Sequence, residues 1–324
     1  MTQTAAIDIG ATWIRGGLIS EDATITHRLR VPTPKAGSSG TVVTETVITI
    51  LEKLVPLTPT DGGIGIASAG PLDLATGSIV SSPNMVFDKI DIIDPLREQF
   101  LRPVFLINDC RAGALAEQMF GAGAHSRAGG GLKAETHVES SISDLVYITI
   151  STGIGGGVIS GGRLLTGATG NAGEVGHLFV DSRYNLICGC GGTGHFEAYA
   201  SGSSIPGFYA RFLKEEGISG TIPETADAIL SSRDLVAARF RDELAVICGR
   251  ALTGVIVAYD PDVIVLDGPV ARNHPSFVSA MIERVDRHLP VPRVVISSLG
   301  GDAPLLGAAV RVWMEDDVIA YEYG

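Results

Sequence analysis

Four side chains able to bind a metal stand close together in GNAGEVGHLFVDSRYNLICGCGGTGHFE (170–197). They are His177, Cys188, Cys190 and His195, in the pattern H-x10-C-x-C-x4-H. A Zn²⁺ ion accepts such a tetrahedral Cys₂His₂ set, and the intervening glycines permit the tight return between ligands. This is not zinc-finger spacing, so a plain glycine-rich loop stays open beside the metal site. One residue between the cysteines is wrong for a thioredoxin-type CxxC pair. Glu174 and His177, three apart, can share one side of a turn, and Glu197 follows the second histidine.

Two further stretches are built to hold phosphate. In DIGATWIRGG (8–17) Gly10 allows a tight turn that faces backbone N–H groups toward an anion, and Thr12 adds a hydroxyl. Asp8 can hold a hydrated Mg²⁺, and Arg15 can neutralise phosphate oxygens. Alone this would read as an ordinary hairpin. STGIGGGV (151–158) supplies a second loop, with Thr152, Gly153 and more backbone amides. Between them, FLINDCRAGALAE (105–117) passes from an apolar strand through Asn108 and Asp109 into an alanine-rich helix. Asp109 can cap that helix. It can also act as a general base that takes a proton from a sugar hydroxyl as a phosphoryl group arrives. The company of two phosphate loops favours the base. No Gly-Lys dipeptide occurs, so a Walker A loop is excluded. Gly189, Gly191 and Gly194 match GxGxxG formally but follow no convincing strand.

Positioning these groups requires strands that end where they stand. Residues 4–10, 62–68, 102–108, 145–151 and 262–268 are short runs rich in Ile, Val and Leu, closed by Gly, Ser, Asp or Asn. Helical stretches at 40–54, 111–120, 235–258 and 275–288 alternate with them, which predicts α/β architecture with largely parallel sheets. Ligands of such sheets gather at the carboxyl ends of strands, where Asp8, Asn108, Asp109 and Asp267 fall. TWIRGGLIS (12–20) and TGIGGGVIS (152–160) share Thr, Ile, Gly, Gly, Ile and Ser at identical offsets. The repeat predicts a duplicated fold that holds a nucleotide in a cleft between its halves. Residues 125–141, polar and Gly-rich, read as an exposed loop.

A chain of 324 residues can bury a large core and predicts about two domains. With 45% hydrophobic and 19% charged residues it is a globular composition. A net charge of −12 with scattered Arg and Lys argues against a nucleic-acid surface. No apolar run is long enough for a membrane span, and no leader is recognisable, so a cytoplasmic location is expected. Four cysteines make no disulfide framework; Cys110 and Cys248 read as buried thiols.

CGCGGTGHFE with GEVGH upstream resembles the signature of the ROK family (repressors, open reading frames and sugar kinases). DIGATWIRGG, GIASAGPLD (65–73), SPNM (82–85), IND (107–109), STGIGGG and VLDGPVA (265–271) also stand in family order, so the resemblance spans essentially the whole chain. It implies an actin-like (ribonuclease H-like) two-domain ATPase fold. The small domain is expected at 1–109 plus a C-terminal helix near 304–324, and the large domain at 110–303. By the same resemblance Asp109 is the base, and Gly70, Asn84, Asn108, Glu174, His177 and Glu197 surround a hexose. Asp8, Gly10, Thr12, Arg15, Thr152, Gly153 and Gly268 attend ATP and Mg²⁺. His177, Cys188 and Cys190 resemble the ligands of a structural zinc, and His195 stands where the family has a third cysteine. Asp267 departs from a family glycine, either altering adenosine contacts or capping the next turn. The implied activity is ATP-dependent phosphorylation of a hexose at its 6-hydroxyl. Glucose is favoured, then N-acetylmannosamine, with fructose, N-acetylglucosamine and allose behind. A silent sugar sensor is the rival from another class. Because the first phosphate motif begins at Asp8, no DNA-binding domain and hence no repressor is expected. A homodimer or dimer of dimers is expected by resemblance alone.

Overall fold

The structure, a computed structural model, describes residues 3–60, 62–82, 85–124 and 142–314. The expected exposed loop at 125–141 lies outside the described residues. Two compact units emerge: Met1–Ser141, Gly162–Ala172 and Leu299–Gly324 form the first, Ile142–Gly161 and Gly173–Ser298 the second. The boundary expected at 109/110 therefore falls inside the first unit.

The first unit opens with β1 (Gln3–Ile9), β2 (Trp13–Ser20), β3 (Ile25–Pro32) and α1 (Thr41–Leu54). Then come β4 (Ile64–Ser68), the short β5 (Leu72–Asp73), β6 (Ser78–Val80) and β7 (Lys89–Asp91), α2 (Ile93–Phe100), β8 (Val104–Asn108) and α3 (Asp109–Phe120). Its main sheet runs β3-β2-β1-β4-β8. β1 is antiparallel to β2 but parallel to β4, and β4 is parallel to β8. Every residue of β4 is buried, as a parallel strand covered on both faces requires. That is why its sequence is an unbroken apolar run. Val43, Val47, Ile50, Leu51 and Leu54 fall on one helical stripe of α1 and pack on Ile7, Ile14 and Leu18.

The second unit repeats this plan with β9 (Leu145–Ile150) and β10 (Ile154–Ser160); β11 (Arg163–Leu164) lies in the first unit's Gly162–Ala172 segment. The helices α4 (Glu197–Ala200), α5 (Ile205–Glu215), α6 (Ala226–Leu230) and α7 (Leu235–Tyr259) precede β12 (Val263–Asp267). After it stand α8 (Gly268–Asn273), α9 (Pro275–Glu283) and β13 (Arg293–Ile296). The order β10-β9-β12-β13 matches β2-β1-β4-β8, each with one antiparallel hairpin and two parallel pairings. The repeated peptide pattern is thus a repeated hairpin opening each sheet. Phe208 and Phe240 stack edge-to-face with Tyr184, Tyr199, Tyr209 and Phe212 to fill this unit's core.

Returning to the first unit, α10 (Ala303–Trp313) lies against α3 and β4. The approach is so close that a Cβ on Gly307 would overlap Ala112 O, and one on Gly65 would overlap Ala308 O. Among the described residues no helix is long and apolar enough to cross a membrane.

Candidate functional site

Strand register brings the first unit's polar residues to one edge. Ile9 pairs with Ser68, and Ser68 with Asn108, so the segments after β1, β4 and β8 emerge side by side. These carry Gly10, Gly70 and Asn108–Asp109, at the carboxyl ends where α/β sheets receive ligands. A Cβ on Gly70 would stand 3.3 Å from Asn108 Nδ2, and the Gly70–Pro71 peptide is cis. Asn108 itself caps α3: its Oδ1 accepts from Cys110 N at 3.0 Å and Arg111 N at 3.2 Å. The cap considered for Asp109 therefore falls to its neighbour, because Asn108 has the extended backbone a cap needs. Asp109 is half-buried, and its Oδ1 accepts from Asn108 Nδ2 at 3.1 Å and Cys110 N at 2.8 Å. Asn108 thus orients the carboxylate beside it.

Two strands over, in β1, Asp8 is almost fully buried, and burial pushes its carboxyl up to about 6. Arg15, across the hairpin, opposes that rise; Asp109 and Asp302 add to it. Arg15 donates to Asp8 Oδ2 from Nε at 2.8 Å and from Nη2 at 2.5 Å, and to Gly301 O at 2.9 Å. Its guanidinium is therefore occupied by Asp8 in this state. Gly10 N donates to Trp13 O at 3.0 Å to close the turn, while Thr33 Oγ1 donates to Gly10 O at 2.6 Å. Thr12 is exposed at the tip.

The second unit's hairpin has a loop one residue shorter, closed by Ser151 N donating to Gly153 O at 2.9 Å. Thr152 is exposed, and its carbonyl accepts from Ser203 Oγ at 2.6 Å. Gly268 adopts φ +90°, and a side chain there would overlap Ile150 O, so only glycine fits. Asp267 is buried and caps α8 by accepting from Gly268 N at 2.6 Å; it also accepts from Tyr147 Oη at 2.7 Å and pairs with Arg272. Of its two sequence readings, the capping one describes these contacts. A cavity of about 370 Å³ opens beside Thr152, walled also by Pro269 and Val270 of α8 and by the start of α6.

The sulfur-bearing segment gathers its four ligand-type residues. One ligand atom each from His177, Cys188, Cys190 and His195 lie within 4.8 Å of one another. Bonds of 2.0–2.3 Å to a tetrahedral zinc would set these separations at roughly 3.3–3.8 Å. Cys190 Sγ is 3.2 Å from His195 Nδ1, and Cys188 Sγ is 3.7 Å from His177 Nδ1. Gly191 and Gly194 take positive φ in the return, and His195 bridges to Phe179 beside the His177 turn. Burial pushes the Cys188 thiol up to about 11. Such a buried thiol ionises readily only against a cation, so the donor set fits zinc. Glu197 joins this cluster to the hairpin: Oε2 accepts from Ile154 N at 2.8 Å, and Cys188 Sγ approaches Oε1 at 3.6 Å. Glu174 is exposed before the 3-10 turn Val175–His177.

Asp8, Gly10, Thr12, Arg15, Gly70, Asn108 and Asp109 therefore lie in the first unit, and Thr152, Gly153, Glu174, His177, Glu197 and Gly268 in the second. Asn84 lies outside the described residues. Sequence reasoning missed Ser203, Asp302 and the cavity residues Asp227 and His274, whose partners stand far away along the chain.

The ROK family profile matches residues 4–315. The glucokinase of Pyrobaculum calidifontis is 30% identical over 322 residues, 98% of each chain. The N-acetylmannosamine kinase of Citrobacter koseri is 30% identical over 310 residues, 95% of this chain and 97% of that one. The ROK hexokinase of Thermus thermophilus superposes with a TM-score of 0.77 at 31% identity, covering 96% of this chain and 98% of that one. A ROK glucokinase from Streptomyces griseus in complex with glucose and AMPPNP gives 0.73 at 26% identity, covering 95% and 98%. The fold is the actin-like, two-domain α/β fold of these kinases. With its profile matched nearly end to end, the chain belongs to the ROK family.

Proposed function

We propose that this chain is an ATP-dependent hexose kinase that phosphorylates the 6-hydroxyl, with glucose as the preferred acceptor. The observation that carries the reading is the Asn108–Asp109 pair at the strand edge, where Asn108 caps α3 and holds the adjoining carboxylate. Full-length similarity to glucokinases supports the same reaction. In it, the 6-hydroxyl oxygen forms a bond to the γ-phosphorus, the bond from that phosphorus to the β–γ bridging oxygen breaks, and ADP leaves. Asp109 accepts the hydroxyl proton as charge moves onto the phosphoryl group. Asn108 keeps the carboxylate oriented, which is where a positioned base gains its rate. Backbone amides and hydroxyls at Gly10, Thr12, Thr152 and Gly153 take the phosphates, and the nucleoside occupies the cavity near Gly268. Gly70, Asn84, Glu174, His177 and Glu197 complete the sugar's surroundings.

Asp8 is the carboxylate that would hold Mg²⁺, whose chemistry is to neutralise phosphate charge. Its raised pKa fits, because a cation stabilises the desolvated negative charge that Arg15 does not fully offset. His177, Cys188, Cys190 and His195 would hold a structural zinc, with four protein ligands and no open position. Its role would be to fix the segment that presents Glu174 and Glu197. The reading extends, on resemblance alone, to a cytoplasmic homodimer or dimer of dimers.

N-acetylmannosamine is the second reading, supported by the full-length similarity to a kinase of that sugar. ADP release measured on a panel of glucose, N-acetylmannosamine, fructose, N-acetylglucosamine and allose tests both. The expected result is the highest kcat/KM with glucose. Sugar binding without turnover on any member would favour a silent sensor instead.

A further inference from the structure

We propose that Asp227, oriented by His274, reads the ribose hydroxyls of the phosphoryl donor, so that the chain discriminates ribonucleotides from deoxynucleotides. The proposal rests on the ATP-dependent reading above and names the part of the nucleoside that one end of the cavity takes. At about 370 Å³ the cavity falls among small-molecule pockets. Its lining combines hydroxyls, apolar side chains and one carboxylate. Thr152 stands in the glycine hairpin, with the turn braced by Gly202 N donating to Ser151 O at 2.7 Å. Pro269, Val270 and Ala226 are apolar and suit the face of a base. Asp227 is the lining carboxylate, and His274 Nε2 lies 3.1 Å from its Oδ1. The imidazole is nearly buried while the carboxylate is largely exposed, so the first anchors and the second is presented.

A carboxylate repels phosphate and only accepts hydrogen bonds, so it cannot serve the phosphate end of this cavity. Adjacent hydroxyls donate to it well, and a vicinal diol offers two such donors to one carboxylate. Thr225 caps α6 with its own hydroxyl, accepting from Ala228 N at 3.2 Å, so Asp227 is not needed as the cap.

The test compares ATP, 2′-deoxy-ATP and 3′-deoxy-ATP as donors for the wild type and for Asp227→Ala. The wild type should show a KM about tenfold lower for ATP than for the deoxy donor that lacks the bonded hydroxyl, the scale of a hydrogen bond to a charged group. Asp227→Ala should raise the KM for ATP about tenfold and leave the deoxy donor lacking the bonded hydroxyl unchanged, with kcat and hexose KM unaltered. An equal rise for all three donors, or an ATP preference that survives the substitution, overturns the proposal. If the wild type transfers no phosphoryl group, the kinase reading fails separately, and calorimetry with ADP and the two deoxy-ADPs decides the pair by the same pattern. A wild type that binds none of these nucleotides overturns the pair as well.

Discussion

Replacing Asp8 by asparagine should stabilise the ligand-free chain while removing its activity. Burial lifts this carboxyl from an ordinary 3.8 to about 6 even though Arg15 pulls the other way. A folded-state pKa above the unfolded one means that the native state binds the proton more tightly. The charged form is then disfavoured, by nothing below pH 3.8 and increasingly up to about pH 6, above which the cost is constant. Two units correspond to about 3 kcal/mol. Arg15's attraction is already counted in the net rise, so the loss of that ion pair does not cancel the gain. Asparagine keeps the shape without the charge. Thermal unfolding at pH 7.5, without nucleotide or divalent cation, should show the Asp8→Asn midpoint roughly 5 °C above wild type. The difference should shrink by about half at pH 5. Phosphoryl transfer should fall at least about a hundredfold, since the carboxylate proposed for Mg²⁺ is gone. A midpoint below wild type at pH 7.5, or a gain that does not diminish toward pH 5, would refute the reasoning.

Asp109→Asn should lower kcat by about 10²- to 10⁴-fold, the usual worth of a general base, while hexose affinity measured by calorimetry changes little. Turnover near the wild-type rate would remove Asp109 as the base. Elemental analysis of protein purified without chelators should find about one Zn²⁺ per chain, and Cys188→Ser should lose it together with several degrees of thermal midpoint. Metal-free wild type would count against the Cys₂His₂ site.

The strands were legible where burial on both faces left unbroken apolar runs, as in IGIAS of β4 and VIVLD of β12. β3, with ITHRLRVP half in solvent, carries no such run, and β5 to β7 are too short to show a period. The Cys/His cluster was legible because its chemistry is local: four ligand-type side chains on one segment, joined by glycines. Asp227 and His274 were invisible because neither is unusual alone, and only the packing of α6 near α8 makes them a pair. Asn108 and Asp109 show a finer limit. Both suit a helix cap, and the backbone of one residue decides which does it.

The two hairpins show why scaffold is easier to read than chemistry. Of their shared Thr, Ile, Gly, Gly, Ile and Ser, all but Thr lie in the hairpin's second strand, where pleat and close packing constrain those positions in each sheet alike. Across the first hairpin, Asp8 pairs in register with Arg15; at the matching place in the second, Thr149 pairs with Gly155. At this register position a buried charge is thus kept in the first hairpin only. Its net cost to folding fits the proposed Mg²⁺ role, because an uncharged residue serves the same hairpin in the other half. That asymmetry, more than the repeat itself, supports the first hairpin as the place of the proposed Mg²⁺.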